Sequence, residues 1–207
     1  MLFNLPKTCL VDKTIPKSKF FTKNLINYKL KEKFTLQISK IIWKYKLSCN
    51  TLNISFTDKI KEIQIFEIKL KQKIIPKNIL KIINKSIPYT ILYHFKFDDN
   101  EFFGIKLEDN KNQIYYFSNW NEKIDFDFNG LNLEIIYQNI IKSFIKNINT
   151  KNNNFEEIIE KDRKINILKK EILKLKSNIK KEKQFNKKVE LNKKLQEKEK
   201  LLEFLNN

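Results

Sequence analysis

The middle of the chain alternates between apolar and polar residues with the period of two that is typical of β-strands. The run "IQIFEIKL" (63–70) is apolar on both faces, which predicts a central strand. Three further runs, "YTILYHFKF" (89–97), "EFFGIKL" (101–107) and "IYYFSNW" (114–120), are separated by short polar loops and predict a meander of hairpins. A fifth strand is predicted at "TLNISF" (51–56).

Helical spacing of apolar residues marks three other segments. The first runs from 27 to 45, the second begins at Pro76, and the third follows Gly130. Residues 1–25 contain Pro6 and Pro16 and are predicted to be extended. We therefore predict an α+β domain over residues 1–148, with a mixed or antiparallel sheet of about five strands and three helices.

The C-terminal region changes character after the polar stretch "NTKNNN" (149–154), which we interpret as a linker. Residues 155–207 are rich in Glu, Lys, Leu and Ile and contain two heptad seams that differ in phase by two residues. This pattern favours a basic coiled-coil hairpin that turns within 180–187. The alternative is one continuous helix of about 75 Å, at 1.5 Å per residue.

The charge balance changes the functional picture. The chain has 42 Lys+Arg against 24 Asp+Glu, a formal net charge of +18, which favours a polyanionic partner such as nucleic acid or an acidic membrane surface. The abundance of Ile, Lys, Asn and Phe and the single arginine, Arg163, are also what AT-rich codons produce, so the charge alone is weak evidence. Residues 97–134 carry an excess of acidic residues, which favours docking to a charged protein as much as binding DNA.

Several classes of function lack their motifs. Cys9 and Cys49 are far apart and have no zinc-ligand spacing, and the two glycines do not form a phosphate-binding loop. No apolar run is long enough for a signal peptide or a membrane span. We therefore expect a cytoplasmic protein with no metal and no cofactor.

Two sets of residues are candidates for binding. Two lysines beside a pair of phenylalanines near the N-terminus and five lysines of the basic C-terminal helical segment are predicted to contact nucleic acid. They are Lys17, Lys19, Lys180, Lys181, Lys183, Lys187 and Lys188. The apolar residues of the C-terminal helices are predicted to dock a protein partner: Ile165, Leu168, Ile172, Leu175, Phe185, Val189 and Leu195. The pattern favours pairing or docking over a direct nucleic-acid grip, and the two roles are compatible.

One catalytic constellation is considered as an alternative. Glu67 and Lys69 lie two residues apart on a predicted central strand, and Asp58 precedes it. Metal-dependent nucleases of the restriction-endonuclease type use such a Glu-x-Lys pair with an upstream Asp, and the carboxylates hold Mg²⁺. A two-residue pattern on a strand rich in Lys and Ile is equally consistent with ordinary polar positions, so the balance favours a non-enzymatic protein.

Four stretches together resemble a bacterial family, domain of unknown function 4391: "FNLPKTCLVDKTIPKSKFF", "IPYTILYHFKF", "YYFSNWNE" and "KKEKQFNKKVELNKKL". The resemblance covers nearly the whole chain. It implies a small companion of restriction-type or antiviral defence genes that encode a helicase and a DNA methyltransferase, and it implies no catalytic residues. The resulting hypothesis is a non-enzymatic adaptor of a DNA-processing complex that docks a helicase or methyltransferase subunit. The alternatives are the nuclease and a stand-alone nucleic-acid binder.

Overall fold

A computed structural model describes residues 3–23, 26–108, 114–146, 148 and 154–206. Most of the predicted linker, 149–153, lies outside the described residues. The chain divides into two compact units, Met1–Phe144 and Ile145–Asn207, and each is described by itself.

The first unit is built on a six-stranded mixed sheet in which the strands lie in chain order. The strands are β1 (Leu10–Thr14), β2 (Ile38–Leu47), β3 (Ile63–Leu70), β4 (Thr90–Phe97), β5 (Asn100–Lys106) and β6 (Tyr115–Phe117). Strands β3 and β4 are parallel, and every other neighbouring pair is antiparallel. The predicted α+β class is confirmed, and the described residues of this unit contain one more strand and two more helices than expected.

The helices of this unit connect the strands or follow them. They are α1 (Ser18–Lys23), α2 (Tyr28–Gln37), α3 (Cys49–Leu52), α4 (Lys77–Ser86) and α5 (Leu133–Lys142). Helix α4 begins after Pro76, as predicted, and forms the crossover that two parallel strands need. Asn132 caps α5, because its side chain accepts a hydrogen bond from the backbone N–H of Ile135.

One face of the sheet packs against α1, α2 and α4 to form the main core. Phe66 of β3, Tyr93 and Phe95 of β4 and Phe102 of β5 are fully or almost fully buried there. Phe95 and Phe102 stack with ring centroids 4.3 Å apart. The central position predicted for β3 is confirmed, and this aromatic layer helps to bury both β3 and its neighbour β4 along most of their length.

The predicted helix over 27–45 is wrong in its second half. Helix α2 ends at Gln37, and the chain continues as β2, which pairs with β1 on one side and β3 on the other. The register shifts between Ile38 and Lys40, so Ile38 and Ile41 both reach the same core although they are three residues apart. A β-bulge therefore produced the spacing that was interpreted as helical.

The predicted strand over 51–56 is also wrong. Residues Cys49–Leu52 form the short helix α3, in which Ser48 and Thr51 make a reciprocal capping box. Asn53 adopts a left-handed conformation with φ 55°, which ends the helix. Only Ser55 takes part in a β-bridge, with Asn132.

The second unit consists of two long helices, α6 (Phe155–Lys181) and α7 (Phe185–Asn206), which pack against each other. The three residues between them, 182–184, fall within the predicted turn region, so the chain forms a hairpin rather than one continuous helix. Asn154 caps α6 through its side-chain oxygen. No helix in the described part of the chain is both long enough and apolar enough to cross a bilayer.

Candidate functional site

Six charged or titratable side chains form a connected cluster on the sheet, which we call the Glu67 cluster. Its members are Asp12, Lys44, Glu67, His94, Lys96 and Glu101. Glu67 lies on β3 directly opposite His94 of β4. Its carboxylate is largely buried and lies 3.2 Å from the Nζ of Lys96, so an ion pair offsets its burial.

His94, the single histidine, is held by a carboxylate and by aromatic rings. Its Nε2 lies 2.8 Å from the carboxylate of Glu101, and its ring stacks on Phe103 at 4.7 Å. Phe3 packs edge-on against the same ring. Burial lowers the pKa of His94 below its ordinary value, and the Glu101 carboxylate opposes this effect. A neutral imidazole that donates Nε2–H to Glu101 accounts for this geometry.

Lys44 completes the cluster beside β1. Its Nζ lies 2.7 Å from the carboxylate of Asp12, which occupies a left-handed position with φ 47° where the register of β1 is irregular. The hydrogen bond with Asp12 raises the pKa of Lys44, and the charge of Glu67 adds to the effect. The cluster therefore contains two ion pairs, Lys44 with Asp12 and Lys96 with Glu67, and one hydrogen bond from the neutral His94 to the Glu101 carboxylate.

The structure does not bring together the three residues of the nuclease alternative. Glu67 and Lys69 do share a face of β3, but Lys69 is exposed and lies in register between Lys40 and Lys96. Asp58 lines a surface cavity, and Glu67 is not among the residues that line this cavity. Within the described ranges, no three His, Cys, Asp or Glu side chains are grouped closely enough to share a metal ion.

The cavity beside Asp58 has a volume of about 350 Å³ and contains charges of both signs. Glu62, Glu108 and Lys106 are among its other lining residues. Lys106 pairs with Glu108 at 3.0 Å, and Glu62 pairs with Lys46 at 2.9 Å. These ion pairs involve Glu62, Lys106 and Glu108. The other charged lining residues, Asp58, Lys59 and Lys61, are also of both signs, so the lining does not specify a ligand charge.

The two N-terminal lysines predicted to bind nucleic acid differ in environment. The ammonium of Lys17 donates a hydrogen bond to the backbone carbonyl of Ile38. Burial lowers the pKa of Lys17, and the nearby charge of Lys71 contributes. Lys19 is exposed. Lys17 thus holds the chain before α1 against β2, whereas Lys19 faces solvent.

The seam of the C-terminal hairpin follows the predicted heptad positions. On α7, Leu191, Leu195, Lys198, Leu202 and Leu205 form a half-buried line. The Nζ of Lys198 lies 2.6 Å from the carboxylate of Glu171 on α6, and Lys176 pairs with Glu199 at 2.8 Å. A lysine occupies an apolar seam position because its ammonium reaches a carboxylate on the facing helix.

The residues predicted to dock a partner divide into two groups. Ile165, Leu168 and Ile172 are buried, and Leu175 and Leu195 are half-buried, so these five are already packed within the protein. Phe185 and Val189 are exposed, with 78% and 52% of their surface accessible.

Sequence reasoning missed four other exposed apolar residues of the hairpin: Ile167, Leu173, Leu201 and Phe204. All four lie off the heptad seams. The sequence did contain a signal for these residues. In a pair of helices, positions outside the heptad seam face solvent, so an apolar residue at such a position is expected to be exposed.

The comparisons with known proteins identify a family and no more. No curated protein and no solved structure matches the chain. A family model described as "Domain of unknown function (DUF4391)" matches residues 3–202, which include the sheet unit and nearly all of the hairpin. The chain therefore belongs to the DUF4391 family.

Proposed function

We propose that this protein is a non-enzymatic adaptor subunit of a DNA-processing complex of the restriction or antiviral defence type. The α6–α7 hairpin docks a larger partner, a helicase or methyltransferase subunit, and the protein lies near nucleic acid. The observation that carries the proposal is the division of apolar residues on α7. One line of leucines on α7 is half-buried in the seam against α6. Four other apolar residues of α7 are exposed: Phe185, Val189, Leu201 and Phe204.

Exposed apolar residues on a highly charged helix favour a docking role. Phe204 is 77% exposed and Leu201 is 48% exposed, although the rest of α7 is dominated by Lys, Glu and Asn. Aromatic and aliphatic side chains of this kind supply most of the binding energy when they enter a groove of a partner. Exposed apolar residues are common on protein surfaces, and seven large ones occur in the sheet unit. The support comes from their density on the hairpin, which has six within residues 155–206.

The environment of the sheet unit supports a non-enzymatic role. The carboxylate of Glu67 is paired with Lys96, the imidazole of His94 is paired with Glu101, and the ammonium of Lys44 is paired with Asp12. These two ion pairs and the hydrogen bond of the neutral His94 give each of the three side chains a partner within the fold. The choice of a helicase or methyltransferase as the partner is part of the proposal and rests on what the family resemblance implies.

The test is co-purification of the full-length protein from its native host after nuclease treatment, with the partner identified by mass spectrometry. A triple variant, Val189→Ala, Leu201→Ala and Phe204→Ala, removes exposed apolar surface from α7 without touching the seam. We expect it to lose a helicase or methyltransferase subunit that the unmodified protein retains.

The matched control replaces three exposed polar residues of the same helix, Asn186→Ala, Asn192→Ala and Gln196→Ala. We expect this variant to retain the partner. Equal retention by both variants would overturn α7 as the docking surface. Recovery of nucleic acid alone, abolished by nuclease, would instead favour a stand-alone nucleic-acid binder.

A further inference from the structure

The hairpin carries its charge very unevenly along its length. We define the hairpin tip as residues 174–194 and the hairpin base as residues 155–173 together with 195–206. The tip contains nine lysines and two glutamates, a formal net charge of +7. The base contains seven basic and eight acidic residues, a net charge of −1. The excess positive charge of this unit therefore lies at one end.

Ion pairing accentuates the difference. Lys164 pairs with Glu160 and Lys198 pairs with Glu171, and both pairs lie in the hairpin base. Lys176 at the start of the tip reaches Glu199. For the other eight lysines of the tip, the described part of the chain shows no carboxylate within ion-pair distance. All nine tip lysines are exposed.

The acidic residue at the turn does not offset this charge through an ion pair. The carboxylate of Glu182 accepts hydrogen bonds from the backbone N–H groups of Lys183 and Gln184, at 2.8 and 2.9 Å. It thus orders the turn between the two helices. Lys180 and Lys181 end α6, and Lys187 and Lys188 lie in the first turn of α7. These four exposed lysines therefore flank the turn on both sides.

An exposed aromatic ring lies among these lysines. Phe185 is the first residue of α7 and is the most exposed of the apolar side chains at the tip. Lysines that neutralise phosphates beside an aromatic ring on which a base stacks are the elements of non-specific single-strand binding. The tip contains no arginine, so it lacks the bidentate donor that most often reads guanine in a duplex.

We propose that the hairpin tip binds the backbone of single-stranded nucleic acid without sequence preference, with Phe185 stacking on an unpaired base. Nucleic acid is favoured over a membrane surface because Phe185 and Val189 are the exposed apolar side chains of the tip, and two such residues do not make a broad apolar face. The inference rests on the proposed function in that it assigns the nucleic-acid contact of the adaptor to one end of the hairpin. Docking of the protein partner then falls chiefly to Leu201 and Phe204 at the other end.

The experiment measures fluorescence anisotropy of a labelled 20-nucleotide oligothymidylate with the full-length protein over a range of salt concentrations. The tip variant carries Lys180→Glu, Lys181→Glu and Lys188→Glu. The matched base variant carries Lys164→Glu, Lys170→Glu and Lys200→Glu. Both variants change two exposed residues of α6 and one of α7, and both change the net charge by the same amount.

We expect the tip variant to lose affinity by about 30-fold or more at low salt, and its salt slope to fall by about 2, since three phosphate contacts are lost. The base variant should stay within about threefold of the unmodified protein. A variant with the same three tip lysines changed to Gln tests the result without charge reversal. Equal losses in tip and base variants would overturn the proposal, because the effect would then be one of net charge.

Stacking is tested separately with two phenylalanines of nearly equal exposure. We expect Phe185→Ala to weaken oligothymidylate binding by about 5-fold or more, and Phe204→Ala to leave it unchanged. Duplex DNA that binds as tightly as the single strand, or vesicles of phosphatidylserine and phosphatidylcholine that compete with it, would contradict the single-strand assignment. Failure of the adaptor proposal appears in the partner pull-down alone, and failure of this one in the anisotropy alone.

Discussion

The sheet unit and the hairpin unit use the same residue types in opposite ways. In the sheet unit, phenylalanines such as Phe95 and Phe102 are buried and stacked, and the charged residues of the Glu67 cluster are paired. In the hairpin, Phe185 and Phe204 are exposed, and most lysines of the tip face solvent. The difference indicates that these residues of the sheet unit maintain its fold, whereas those of the hairpin contribute little to packing. The sheet unit also exposes a few large apolar side chains, among them Tyr28, Phe56 and Leu131.

The sharpest test of this comparison makes the same substitution in both units. Phe95→Ala removes a fully buried ring from the main core and should lower the free energy of unfolding by about 3–5 kcal/mol. Phe204→Ala removes an exposed ring and should change it by less than about 0.5 kcal/mol. Urea unfolding followed by circular dichroism measures both, and similar losses would contradict the division between the units.

A second prediction compares carboxylates. Glu67→Ala leaves Lys96 and Lys44 without a buried counter-charge and should cost about 1–2 kcal/mol. That is less than the loss for a fully buried pair, because 40% of the Lys96 side chain is exposed. Glu160→Ala, on the exposed surface of α6, should leave the urea midpoint unchanged. Equal effects would show that pairing on the sheet stabilises no more than pairing on the hairpin surface.

The Glu67→Ala variant also tests the nuclease alternative. We expect no Mg²⁺-dependent cleavage of DNA by the unmodified protein, since Asp58 and Glu67 line different features. Cleavage that is lost in a folded Glu67→Ala variant would instead establish an enzyme and would overturn the structural role of the cluster.

A third prediction concerns pH. Burial lowers the pKa of His94, so the folded state binds a proton at this residue less readily than the unfolded state does. The contribution of His94 to the free energy of unfolding is therefore complete when the pH is above 6.5, the ordinary pKa of histidine. It is lost as the pH falls through the lowered pKa of His94 in the folded state. The groups facing His94 are Glu101, Glu67 and Lys96.

Urea midpoints measured between pH 7.5 and pH 5 check this expectation. We expect His94→Gln to flatten the decline, because glutamine keeps a donor for Glu101 but does not titrate. An unchanged pH profile in this variant would mean that other groups cause the decline.

The smallest expected effect lies at the hairpin seam. Lys198→Leu replaces a half-buried lysine with leucine, the residue that a heptad seam favours. It should stabilise the α6–α7 pair by about 0.5 kcal/mol, because the exposed ion pair between Lys198 and Glu171 contributes little. Lys200→Leu, outside the seam, should not stabilise it. Thermal unfolding followed at 222 nm distinguishes the two variants. Destabilisation by Lys198→Leu would show that its ion pair outweighs the apolar packing.

Elements whose pattern is local were predictable from the sequence. The hairpins β4–β5 and β5–β6 alternate over short loops, and α4 begins at a proline, so neighbouring residues determine them. For α6 and α7 the sequence favoured a hairpin, because the two heptad seams differ in phase, but it left one continuous helix open as the alternative. Of the docking residues predicted there, only Phe185 and Val189 are exposed, since heptad positions are those that helices bury against each other.

The tertiary structure decided the type of those elements whose local sequence pattern was ambiguous between helix and strand. Strand β2 has isoleucines at helical spacing, and only its pairing with β1 and β3 and its bulge at Ile38–Lys40 make it a strand. The Glu67 cluster joins residues from β1, β2, β3, β4 and β5, so sheet order rather than sequence distance brings them together. The sequence by itself determined the class of the fold, the helical character of residues 155–207 and the excess of positive charge. Only the tertiary structure decided which charges are paired and which remain exposed. Pairing depends on the register between strands and on which faces of two helices meet, and no single segment of the sequence specifies either.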